Sequence, residues 1–152
     1  MTLLFAFLIG FFAGLRSLTA PAATAWAVHL GWLRIGSPLS LIGTVPSVII
    51  LTLLAVAEFV VDKLPSTSKR TAAPGLIGRM LTGGLTGACV AVGGSQSALT
   101  GAALGLLGGV VGAFVGYRVR SQIVKGLGIR DIYVAIIEDV VAVAGCLWIV
   151  SR

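Results

Sequence analysis

Glu58 and Asp62 stand four residues apart in the stretch LLAVAEFVVDKLP, residues 53–65, a run apolar enough to lie in a lipid bilayer. In a helix that spacing sets both carboxylates on one face, about a turn apart. Two acids so close do not both ionise cheaply unless a cation stands near, and Arg16 and Arg118 are the internal cations available. Lys63, at the end of the run, can snorkel to the headgroups instead. Glu138 and Asp139 form a second acidic pair; being adjacent, they point in different directions, one into a bundle and the other toward the loop bearing Arg130 and Asp131.

Ionisable groups inside apolar segments are costly, so they are expected to face a partner, water or a transported species. Three readings of Arg16, Glu58, Asp62, Arg118, Glu138 and Asp139 compete. In transport, the carboxylates bind a cation or a proton while the arginines balance charge or hold an anion. In a lipid-headgroup enzyme, Glu58 or Glu138 is a general acid or base. In a structural role, Arg–carboxylate pairs fix helix positions. The sequence contains no nucleophile–base pair and no metal-ligand set to support catalysis, and no cofactor is expected. Cys89 and Cys146 fall inside apolar segments without a ligand partner at metal spacing and are expected to be buried thiols. His29 lies between Trp26 and Trp32, where an interfacial anchor is expected.

The elements that must position these residues are membrane helices. Of 152 residues, 57% are hydrophobic and 11% charged, whereas about 25% are charged in soluble domains. The mean hydropathy is +1.07. The net charge of +6 does not point to nucleic acid, because the basic residues cluster in two connections rather than on a surface interleaved with stacking aromatics. At about 20 apolar residues per crossing, spans are predicted near 3–29, 42–62, 75–94, 98–117 and 132–150. The first would measure about 40 Å at 1.5 Å per residue and is expected to break or kink near Pro21, the alternative being one tilted helix with Arg16 paired to a neighbour's carboxylate. Lys63, Lys69, Arg70 and Arg79 flank one connection, and Arg118, Arg120, Lys125 and Arg130 the other, against Arg34 and Arg152 elsewhere. That asymmetry predicts both rich connections and the N-terminus in the cytoplasm, with the GGSQSA turn at 93–98 and the C-terminus outside.

Small residues recur at helical spacing: Gly83, Gly87 and Ala91; Gly101, Gly105 and Gly109; Gly108, Gly112 and Gly116. Such stripes let helix backbones approach closely. They are expected to pack helices and to offer a face for homo-oligomer formation, with membrane lipid as the other partner. GFFAGLR at 10–16 and GAFVGYR at 112–118 share Gly-x-x-x-Gly-x-Arg, and each leads to a later acidic segment. Under a five-span topology those two helices would run oppositely, so an inverted repeat is expected.

AGLRSLTAPAATAWAV, AEFVVDKLPSTSKRTAAPGLIGR and GYRVRSQIVKGLGIRDIYVAIIEDVVAV together resemble the uncharacterised bacterial membrane family called domain of unknown function 4126, over nearly the whole chain. The resemblance implies a small multi-pass protein of the bacterial inner membrane and carries no activity with it. The sequence thus predicts an all-α, single-domain membrane protein of about five helices, expected to move an ion or small polar solute. The alternatives are lipid-headgroup work and, third, an accessory subunit.

Overall fold

The computed structural model describes residues 1–61, 73–128 and 130–152. The described residues are all-α: α1 (Thr2–Leu15), α2 (Thr19–His29), a 3-10 turn at Leu39–Gly43, α3 (Val45–Val61), α4 (Ala73–Gly93), α5 (Ala98–Leu127) and α6 (Asp131–Val150). Three helical stretches are long and apolar enough to cross a membrane: Ala73–Gly93, Ala98–Gly126 and Asp131–Val150. Thr2–Leu15 and Val45–Val61 are apolar but shorter.

The segment 3–29 is not one crossing helix. It breaks at Arg16, whose backbone is extended (φ −139, ψ 110), and α2 begins at Thr19. Pro21 lies inside the first turn of α2, where its missing N–H has no intrahelical acceptor to lose, so the proline starts the second helix and does not break the first. Beyond the break the chain turns back. Gly94 lies against Thr2, Gly93 lies against Leu33 and Ile35, and the Phe5 ring meets Trp148 near the end of α6. Both open ends of the α1–α2 hairpin therefore share one end of the bundle with the 94–97 turn and the C-terminus. The tip of the hairpin points toward the other end, where α3 finishes and α4 and α6 begin.

Two expectations fall with this turn. The N-terminus does not share an end with the basic connections, because α1 stops inside the bundle and α2 returns. The inverted repeat also fails: Phe7, Phe11 and Leu15 stack in order against Gly108, Gly112 and Gly116, so α1 and α5 run parallel. Asp62, Lys63, Lys69 and Arg70 lie outside the described residues.

The interior is built of small residues and the exterior of large apolar ones. Ala6, Ala13, Ala20, Ala25, Ala27 and Ala91 are fully buried, whereas Leu53, Leu81, Leu99, Ile137 and Val140 are exposed. An apolar exterior of this extent, with three long apolar helices, points to a membrane location. The glycines set the spacing. A Cβ on Gly83 would lie 2.6 Å from the Gly105 carbonyl oxygen, and one on Gly109 would lie 2.7 Å from that of Arg79. Gly87 faces Gly101, Gly112 faces Phe11 and Gly14, and Gly116 faces Leu15. The stripes expected to offer a face to a second copy are thus occupied by α1, α4 and α5 of this chain.

Single cysteines at Ser37 and Ser95, and one added at the N-terminus, should label from the same side of a sealed membrane, and Lys125→Cys from the opposite side. Native Cys89 and Cys146 are buried and give little background. An N-terminus that labels with Lys125→Cys would restore a crossing first helix. Gly105→Leu and Gly112→Leu should cut the folded fraction in detergent sharply, while Leu99→Ala on the exterior should not.

Candidate functional site

A helix that stops inside apolar surroundings leaves its last carbonyls and the next helix's first amides without partners, each costing several kcal/mol in hydrocarbon (roughly 2–7) unless met. Three helices supply what the tip at Arg16–Leu18 needs. From α4, the buried Arg79 donates through Nη1 to the Gly14 carbonyl at 2.8 Å and reaches that of Leu15 at 3.5 Å. From α3, Glu58 accepts the Ser17 N–H at 2.8 Å and the Ser17 hydroxyl at 2.9 Å on Oε1, and the Leu18 N–H at 2.9 Å on Oε2. From α6, Asp139 forms an ion pair with Arg16, which is fully buried and lies with its guanidinium carbon 5.5 Å from the Phe59 ring centroid.

The signs match the helix dipoles. A cation stands at the C-terminus of α1 and an anion at the N-terminus of α2. At 1.5 Å rise per residue, Arg16, Glu58, Arg79 and Asp139 each sit about 17–21 Å from the end that carries Met1 and the 94–97 turn, so four helices bring charge to one level. A hydrocarbon core is about 30 Å thick, so with that end set at one interface the level would lie roughly two-thirds across.

A second cluster flanks the first. Arg120 Nε donates to Asp131 Oδ1 at 2.7 Å, and Arg120 Nη1 lies 3.6 Å from Glu138 Oε2. Glu138 and Asp139 thus serve two neighbours, α5 and the hairpin tip. Asp131, in the first turn of α6, also favours that helix's positive end.

The structure brings Arg16, Glu58 and Asp139 together and sets Glu138 beside them. Arg118 is exposed on α5 and makes no ion pair among the described residues; Arg120, about half a turn further round, faces α6. Asp62 is outside the described residues. Sequence reasoning missed Arg79, Ser17 and Arg120. Arg79 carries a usable signal, a charge several residues inside an apolar run, the same one that singles out Arg16, although its nearness to the basic connection makes it look like a loop charge. Among the described residues no three His, Cys, Asp or Glu side chains are placed to hold a metal ion.

Two apolar cavities adjoin the charges. One, of about 190 Å³ between α2, α3 and α6, is lined by Thr19, Trp26, Thr52 and Phe59 among others. The other, of about 220 Å³, opens between α5 and α6, with Leu15, Arg120, Ile137 and Glu138 in its wall.

A family model described as "Domain of unknown function (DUF4126)" matches residues 3–151. No curated protein and no solved structure matches the chain.

Arg16→Gln, which removes the fully buried cation of the Arg16–Asp139 ion pair, should lower stability in detergent by about 3–5 kcal/mol. Arg79→Gln should cost about 1–3 kcal/mol for the exposed carbonyls of α1. Arg118→Gln should stay within about 0.5 kcal/mol of wild type. Thermal unfolding of the three variants checks the order; an Arg118 effect as large as that of Arg79 would contradict the assignment.

Proposed function

This chain belongs to the domain of unknown function 4126 family, and from the geometry of its hairpin tip we propose that it is a membrane transport protein, moving an ion or small polar solute past Arg16, Glu58, Arg79 and Asp139. The observation that carries the reading is Glu58: a carboxylate from one helix occupying the amide end of an interrupted helix at depth. Helix termini exposed by such breaks are how transporters assemble sites for charged groups near the membrane interior. The ion pair of Arg16 with Asp139 keeps the level polar without a net charge of its own. Arg118, Lys125 and Arg130 at the tip-side end favour the cytoplasm of a bacterial inner membrane for that end, with both termini outside.

The cavity between α5 and α6 favours a second reading, lipid-headgroup work. It is apolar along its length and meets a charged pair, Arg120 and Glu138, at the depth where an acyl chain would carry a polar group.

Proteoliposomes of the wild-type chain, tested with protons, alkali cations, chloride and small carboxylates, should show flux above empty vesicles for at least one. Glu58→Gln should abolish that flux. Its amide places an NH2 where Leu18 needs an acceptor, so stability should fall by about 1–3 kcal/mol, less than for Arg16→Gln. Wild-type flux from folded Glu58→Gln would remove Glu58 from the pathway, and no flux at all would leave the lipid reading in its place.

A further inference from the structure

We infer that the N-terminus of α2 is a binding site for a small carboxylate-like oxyanion, in which the carboxylate of Glu58 sits as a built-in stand-in. The inference rests on the transport reading and names the solute class of the same site.

The donors define the ligand. The Ser17 and Leu18 amides each address a different oxygen of one planar group, and the Ser17 hydroxyl adds a further bond to the first. This is a two-oxygen cradle at a helix N-terminus, which favours a bidentate oxyanion over a spherical ion. Among the described residues Glu58 takes its hydrogen bonds from Ser17 and Leu18 alone, so neutral donors hold it and an anion of the same shape can replace it.

Thr19 points to the ligand independently. It is the first residue of α2, only 5% exposed, and its hydroxyl has no hydrogen-bond partner among the described residues. Buried hydroxyls are normally satisfied, and leaving one unmet is unfavourable. Thr19 lines the cavity between α2, α3 and α6 together with Phe59, the residue after Glu58. That cavity, about 190 Å³, is lined by the residues that follow Leu18 and Glu58 in the chain and is large enough for a formate- or acetate-sized solute. Trp26 and Thr52 also line the cavity but are bonded to each other, which leaves the Thr19 hydroxyl, among the described residues, as the unpartnered group there to meet the solute before the amides of Ser17 and Leu18 take it up. Arg79 adds positive charge at the tip, while Arg16 is paired with Asp139.

The test is chemical rescue of Glu58→Ala, which removes the stand-in and leaves the donors. Sodium acetate or formate, at about five times its Kd, should raise the Tm of this variant in detergent by about 2–4 °C over sodium chloride at the same ionic strength. Wild type should show no such difference. If Glu58→Ala does not accumulate, the readout is folded yield, recovered by purification in acetate and not in chloride. Adding Thr19→Val should shift the acetate titration upward by about tenfold, the loss expected for one hydrogen bond to a charged group. Equal response to all salts, or none, overturns the site; an acetate titration unmoved by Thr19→Val overturns the part given to Thr19. Because rescue is read at equilibrium without flux, a chain that transports yet shows no rescue loses only the oxyanion assignment.

Discussion

The structure depends on one constraint: a helix interrupted in apolar surroundings must have both of its cut ends answered. The break at Arg16–Leu18 exposes carbonyls on α1 and amides on α2, and water is not at hand to meet them. Arg79 from α4 answers the first and Glu58 from α3 answers the second. These bonds fix where α3 and α4 stand relative to the hairpin, because neither side chain can reach its target from another register. Asp139 adds α6 through Arg16. Four helices are thus tied at one level by polar contacts, although packing along their length is almost wholly apolar.

The glycines make this level reachable. α1 is short, and its last turn must sit deep enough among α4 and α5 for Arg79 to reach the Gly14 carbonyl. Gly83, Gly105, Gly109 and Gly112 let the backbones approach until a Cβ would not fit. In lipid, where apolar surface gains nothing from leaving water, such contact is a main source of helix association. Close packing and the charged site are therefore one design: widening the glycine faces would withdraw the cations from the carbonyls they serve.

Helical class, the small-residue stripes and the intrahelical charges Arg16, Glu58 and Asp139 were legible because they follow from composition and from spacing along a helix. The direction of the first segment was not. Hydropathy over 3–29 reports apolar length, and a hairpin and a tilted crossing have the same length; what separates them is the partner of each end, which lies 40 or more residues away in Glu58 and Arg79. Pro21 misled because proline marks a boundary without saying on which side the helix lies. The choice between Arg118 and Arg120 depended on helical phase, which the sequence YRVR leaves open until α6 is placed.

The two half-buried carboxylates at the tip are not equivalent, and the difference bears on which of them can change state. Asp139 meets a full opposite charge on Arg16, itself fully buried, so parting the pair separates opposite charges in surroundings that solvate them poorly. Glu58 is held by two amides and a hydroxyl, dipolar groups that any planar oxyanion would satisfy equally and that a neutral occupant would satisfy in part. Exchange at Glu58 leaves the Arg16 and Asp139 pair intact, whereas exchange at Asp139 would undo the anchor that holds α6 to the hairpin. A site that must bind and release is therefore better built on Glu58, with the salt bridge as the fixed frame beside it.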